Sequence, residues 1–234
     1  MPASVEESVK EQFSQVFKKA DWPLFKTMGE VYLKQAAFLR KKHVVAPPGL
    51  KLLARNAQKR LFIGIGVELL LKAVYLKAGY VINKPKDPHA PLKLPFTPAQ
   101  ARGHQLDPAD TYTLYKLIGK LLTVLSALQN GNIVLRGLRV AKVFRNKEGH
   151  SVTPVHLFAP SNYRDIEASL SEVYEQVFDE TLAVRFSVAV GEKPVWRITH
   201  PNKTLQRTAF GRRRALSQSS IDLRTGHFGG IQGL

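Results

Sequence analysis

The chain contains no cysteine. That excludes disulfides, thiolate-bound metals and cysteine nucleophiles together, and it agrees with a cytoplasmic protein. Long apolar runs are missing too. The nearest candidate for a membrane span, Leu61 to Tyr80, is broken by Glu68, Lys72 and Lys77, and falls short of the about eighteen uncharged apolar residues that a crossing helix needs. The first residues (Met1-Pro2-Ala3-Ser4-Val5-Glu6-Glu7) are acidic and have no apolar segment, so they are not read as a signal peptide. Metal-binding spacings are absent: there is no His-x-x-x-His or Glu-x-x-His, and His43, His89, His104, His156, His200 and His227 are scattered. No strand-turn-helix elbow suits a Ser–His–Asp hydrolase. Gly64-Ile65-Gly66 follows no strand and lacks a third glycine, so close helix packing explains it better than a nucleotide loop. The expectation is therefore a protein with no metal, no cofactor and no membrane partner.

Acidic residues are few, 18 against 35 lysines and arginines, which leaves a net charge of +17. The segment after residue 200 holds Lys203, Arg207, Arg212, Arg213, Arg214 and Arg224 against Asp222, a net +5, so +12 stays on the rest. Such an excess favours a polyanionic partner, because each phosphate neutralised releases condensed counterions. RNA is the partner expected.

The 234 residues can bury a core and suit one domain with extended ends. Residues 4–20 read as a short amphipathic helix. A second helix follows Asp21, a cap, with Pro23 in its first turn. Leu24, Met28, Val31 and Phe38 form its apolar stripe, widened by Phe25, Tyr32, Ala36 and Leu39. Leu50 to Tyr80 is the strongest helix, apolar nearly all round in its second half, so it needs cover on every side. Within it Glu68 and Lys72, four apart, can pair. Residues 83–108 carry repeated prolines and read as a long loop outside the core, by default a solvated linker, with contact of Lys84, Lys86 and Lys93 to an RNA backbone as the lesser alternative. Three further helices are expected over 107–129, 133–149 and 162–182, the last capped by Asn162. After them, residues 183–198 form a short hairpin, and 199–234 a disordered basic tail that the fold can spare.

In the helix from Ile133, Val134, Leu138 and Ala141 share a face, and four residues further that face arrives at Arg145. A guanidinium there must pair with a carboxylate such as Glu68 or bind an anion. Arg145-Asn146-Lys147-Glu148-Gly149-His150 then joins a permanent cation to an imidazole that titrates near neutrality. Those groups suffice to cleave RNA without a metal, Arg145 holding the phosphate, His150 moving a proton and Asn146 orienting the pair. An Arg so placed before a His arises about once by chance in such a chain, so context must carry the reading. On one ideal helix Arg145 and His150 point about 140° apart, so either the helix ends at Gly149 or two copies share a site.

The order of helices, the segment Glu68-Leu69-Leu70-Leu71-Lys72-Ala73 and the Arg-Asn-x-x-x-His signature of Arg145, Asn146 and His150 resemble the HEPN family (higher eukaryotes and prokaryotes nucleotide-binding domains) over roughly residues 20–182. The resemblance implies an all-α, up-and-down helical bundle spanning residues 1–182. It implies a homodimer bringing two Arg–His pairs together, and a metal-independent endoribonuclease acting as a toxin or antiviral defence effector. A nucleotidyltransferase-type antitoxin would then be a partner. Arg145, His150 and Asn146 would be catalytic, Lys142 and Lys147 would touch RNA, and Glu68 would orient Arg145. Two other readings stay open. One is a non-catalytic helical module binding RNA, a nucleotide or a partner. The other is a helical protein unrelated to nucleic acid, in which Arg145 is a core ion pair and His150 closes a helix.

Overall fold

A computed structural model of the protein describes residues 4–5, 7–9, 11–12, 21–147, 158–187 and 193–200. The chain divides into a unit of Met1–His200 and one of Pro201–Leu234. Of the tail expected over 199–234, Thr199 instead ends a strand, paired with Thr181, and the second unit lies outside the described residues.

The first unit is mostly helical, with two small antiparallel sheets. At the start, Ser4 and Glu7 form a capping box. The Ser4 amide donates to Glu7 Oε2 at 2.8 Å, and the Glu7 amide to Ser4 Oγ at 3.2 Å. Helix α1 is Trp22–Phe38, capped by Asp21, whose Oδ1 accepts from the Leu24 amide at 3.1 Å. Helix α2 is Lys51–Lys77. The two run antiparallel: Lys77 Nζ lies 5.2 Å from the Trp22 ring centre, Tyr32 packs on Phe62, and Gly29 meets Gly66 and Leu70. A Cβ on Gly66 would lie 2.9 Å from the Gly29 carbonyl oxygen, so these backbones touch and only glycine fits.

The α1 face that packs is only part of the one the apolar spacing selects: Phe25 and Ala36 of the widened stripe are in it, and the main repeat is not. Phe25, Leu33, Ala36 and Ala37 are buried, while Leu24, Met28, Val31 and Phe38 are exposed. Small residues bring the helix close to α2, and the larger side chains remain outside.

After α2, strands β1 (Asn83–Pro85) and β2 (Leu106–Thr111) pair antiparallel. They pin both ends of the proline-rich stretch, and Leu94, Phe96 and Ala101 within it are buried, so it is partly core rather than an open loop. Asp107-Pro108 lies in β2, not in a helix. Asp107 Oδ1 accepts from the Ala109 amide at 2.8 Å, a turn-forming bond that competes with helix initiation. Helix α3 is Leu114–Val124, shorter at both ends than the expected 107–129. Helix α4 is Gly131–Lys147, beginning two residues before Ile133. Its expected last residues, Glu148 and Gly149, lie outside the described ones.

Helix α5 is Pro160–Val173, continued by a π-turn to Phe178 and stopped by Asp179 in the left-handed region at φ 55. Asn162 is not its cap: Ala159 takes that place without a side-chain bond, and Pro160 supplies the first turn. Strands β3 (Thr181–Arg185) and β4 (Val195–Thr199) then pair antiparallel from Thr181↔Thr199 to Arg185↔Val195. Leu182 and Phe186 are 3% and 1% exposed, so this hairpin closes the core rather than extending beyond it. Among the described residues no helix is long and apolar enough to cross a membrane.

Candidate functional site

Helix α4 buries Val134, Leu138, Ala141 and Phe144, a stripe at helical spacing that ends on an edge-to-face contact of Phe144 with Phe158 at 4.9 Å. Arg145 therefore sits at the rim of the buried stripe. It faces α2 where the two helices come closest. A Cβ on Gly64 would lie 2.7 Å from the N, Cα and Cβ atoms of Arg145, so the crossing exists only because residue 64 has no side chain.

One turn beyond Gly64 stands Glu68. Its Oε2 accepts from Arg145 Nε at 3.2 Å, and its Oε1 accepts from Lys72 Nζ at 3.0 Å. The carboxylate is 18% exposed, the lysine 8% and the arginine 42%. One half-buried anion thus serves two cations and leaves an excess of one positive charge. Lys72, inside, supplies the pairing expected of a charge in an apolar helix. Arg145, outside, has its Nε taken, and among the described residues its terminal amino groups make no hydrogen bond. That edge of a guanidinium is the one that grips a phosphate or carboxylate with two parallel bonds.

Asn146 and Lys147 are exposed at the end of α4. Asn146 makes no hydrogen bond to Arg145 among the described residues. Lys142 turns away from α2, with its Nζ 5.1 Å from the Tyr115 ring centre on α3. Glu148, Gly149 and His150 lie outside the described residues, so the structure brings together Glu68, Lys72 and Arg145 and carries no geometry for the imidazole.

A second ionisable cluster was not anticipated. Lys59, on α2, donates to the Phe186 carbonyl oxygen at 2.6 Å. Burial, reinforced by the positive charge of Arg55, lowers its pKa to about 8, with Glu167 opposing. Glu167 is half-buried beside it and accepts the backbone amides of Phe186 and Ser187. Burial raises the Glu167 pKa in spite of those two bonds and of the nearby Arg185 and Lys59 charges. Residues more than a hundred positions apart meet here, and no local spacing could signal it.

Among the described residues no group of three His, Asp or Glu is gathered as metal ligands would be. Comparison with family models, with curated proteins and with solved structures finds no match.

Proposed function

We propose that the protein is a metal-independent endoribonuclease of HEPN type, working as a homodimer. The observation that carries the reading is Arg145 held through Nε by Glu68, its outer edge turned to solvent one residue before Asn146 and five before His150. A guanidinium fixed in this way is pre-oriented, and less side-chain entropy is lost when it binds a phosphate.

In the reaction, the ribose 2′-oxygen attacks the adjacent phosphorus and the 5′-oxygen of the next nucleotide leaves. His150 takes the 2′-hydroxyl proton, and the second copy's His150, protonated, gives one to the leaving oxygen. Arg145 neutralises the charge that builds on the phosphate, and Asn146 orients the reacting groups. The products are a 2′,3′-cyclic phosphate and a 5′-hydroxyl. Such an activity suits a toxin or an antiviral effector, and a nucleotidyltransferase-type partner would restrain it.

The test is incubation of the full chain with mixed single-stranded RNA in excess chelator. Cleavage should leave cyclic phosphate ends, spare DNA, and disappear in His150→Ala. Arg145→Lys should fail as well, because an ammonium cannot reproduce the two-pronged grip. Activity that needs magnesium or persists in His150→Ala would refute the mechanism. A folded dimer that binds RNA and cleaves none would establish the non-catalytic binding module. The Glu68–Arg145 pair favours that second reading in one respect, since it is already a complete ion pair without substrate.

A further inference from the structure

Between α3, α4 and the proline-rich stretch lies an open groove of about 630 Å³. Five cations line it, Lys93, Lys116, Lys120, Arg139 and Lys142, and no carboxylate does. Some exposed or half-buried cations elsewhere meet acids, as Lys84 meets Asp110 at 2.8 Å, Arg136 meets Asp165 at 2.9 Å and Arg145 meets Glu68 at 3.2 Å. Others such as Lys34 meet none among the described residues; what sets the groove apart is five cations gathered on one lining without a carboxylate. Among the described residues none of the five groove cations makes a salt bridge. Lys116 and Lys120 are also four apart on α3, where like charges repel across one helical turn. Folding alone gives no reason for that arrangement. A bound polyanion does.

The groove also holds an aromatic face. Tyr115 is 61% exposed, well above the usual exposure of so large a ring, and Lys142 lies over it at 5.1 Å. A cationic channel with an open ring suits a strand that offers phosphates at intervals and unstacked bases between them. A duplex would hide its bases from Tyr115, and a small anion would leave most of the cations unused. On α4, Arg139, Lys142 and Asn146 fall within an arc of about 60°, and Arg139 to Asn146 covers about 10 Å of helix. The face of α4 that lines the groove therefore continues along the helix to Asn146, the neighbour of Arg145 in sequence.

We infer that this groove binds single-stranded RNA, seating a base on Tyr115 and its flanking phosphates on Lys116, Lys120, Arg139 and Lys142, and feeds the strand to Arg145. The delivery to Arg145 rests on the proposed cleavage; the binding does not. Binding is measured by fluorescence anisotropy with the full chain and a labelled oligouridine carrying 2′-O-methyl groups, which cannot be cut by 2′-hydroxyl attack. Tyr115→Ala should weaken binding about five- to a hundredfold, and Tyr115→Phe should restore it, because stacking needs the ring and not the hydroxyl. Lys116→Ala and Lys120→Ala should each flatten the plot of log affinity against log salt by about 0.7. Lys34→Ala, an exposed cation on α1 away from the groove, should change neither. Circular dichroism of each variant confirms that it is folded.

If Tyr115→Ala and both lysine variants bind like wild type, the groove is not the site. Equal affinity for duplex RNA, or binding of phosphatidylserine vesicles without oligouridine binding, would also overturn the inference. The two proposals separate cleanly. Arg145→Ala should lose cleavage of unmodified RNA and keep anisotropy binding, whereas groove variants that lose binding in a protein with no cleavage would sink the nuclease and leave the groove standing.

Discussion

Lys26 and Lys116 are both lysines on helices of one small domain, and their surroundings are opposite. Lys26 lies 2.7 Å from Glu30 and 2.8 Å from Glu180, with Tyr174 donating to Glu30 at 2.9 Å and the ring of Phe178 beneath the ammonium. Burial by itself would lower its pKa, yet the bonds and charges of Glu180 and Glu30 outweigh burial and raise it. Lys116 stands exposed in a groove of like charges with no acid in its lining. At Lys26 two carboxylates surround a cation that holds the fold together. In the groove, whose lining holds no acid, the inferred RNA would supply the anion. Arg145 belongs to both kinds, paired on its inner side and open on its outer side. For that reason it is the residue on which the functional reading turns.

The sharpest way to break the comparison is at Arg145. If its outer edge serves catalysis, Arg145→Ala should lower the cleavage rate about 10²–10⁴-fold. Thermal unfolding should fall far less than that loss of rate implies, because Glu68 keeps Lys72 as partner. A variant that unfolds in proportion to its lost activity would place Arg145 wholly with the structural cations.

Lys59 tests the intermediate case, a cation buried without full neutralisation. Its folded pKa, about 8, lies below the ordinary 10.5. Between those values the unfolded chain holds a proton that the folded chain has released, so this residue makes stability rise with pH across that window. The difference corresponds to about 3 kcal/mol of penalty at neutral pH. Lys59→Met removes the penalty and the bond to Phe186 together. Its melting temperature relative to wild type should therefore decline as pH climbs from about 8 to 10.5. A pH-independent difference would mean that Lys59 stays charged in the fold. Lys26 behaves in the other sense: its raised pKa gives stability that is complete below 10.5 and lost as pH passes through the folded value.

Removing Lys26 itself leaves Glu30 and Glu180 without their shared cation. Lys26→Met should cost about 2–3 kcal/mol at neutral pH by chemical denaturation. Much of that cost should vanish in acid, where the two carboxylates take up protons. The Gly64 crossing sits just below it in size. Gly64→Ala must push α2 from the Arg145 backbone, at about 1–3 kcal/mol. Gly49→Ala, with nothing within 4 Å of its new methyl, should leave the melting temperature almost unchanged.

Much of the helical frame can be read from periodicity and caps. Asp21 caps α1, α2 spans nearly the expected residues, and Glu68 pairs with Lys72 and with Arg145. What periodicity misjudged is which apolar face packs. On α1 the large side chains of Leu24, Met28 and Val31 repeat at helical spacing and stay exposed. The buried face is built on Gly29, Leu33, Ala36 and Ala37, because a glycine-to-glycine contact lets the backbones approach where bulk would hold them apart. Residues 107–111 misled for another reason. An Asp-Pro pair signals a helix cap and a turn equally well, and only the distant strand Asn83–Pro85 decides between them. The candidate site divides in the same way. The pairing of Arg145 with Glu68 was legible from the apolar face that ends on Arg145. The groove draws on Lys93, α3 and α4 at once, and its one local sign was the like-charged pair Lys116 and Lys120.

That pair supplies the smallest expected effect on stability, and the one that discriminates most. A cation that serves the fold is missed when removed; a cation that waits for a ligand is not. Lys116→Ala and Lys120→Ala should each leave the melting temperature within about 2 °C of wild type, with any change upward as repulsion across the groove is relieved. Raising the salt concentration should stabilise wild type slightly more than the double variant Lys116→Ala/Lys120→Ala, since screening does for one what substitution has done for the other. In the presence of saturating oligouridine the order should reverse, because a ligand stabilises only the form that binds it. Wild type should then melt above the double variant. If instead the variants are several degrees less stable without ligand, the groove lysines are partners of acids within the fold, and the contrast with Lys26 disappears.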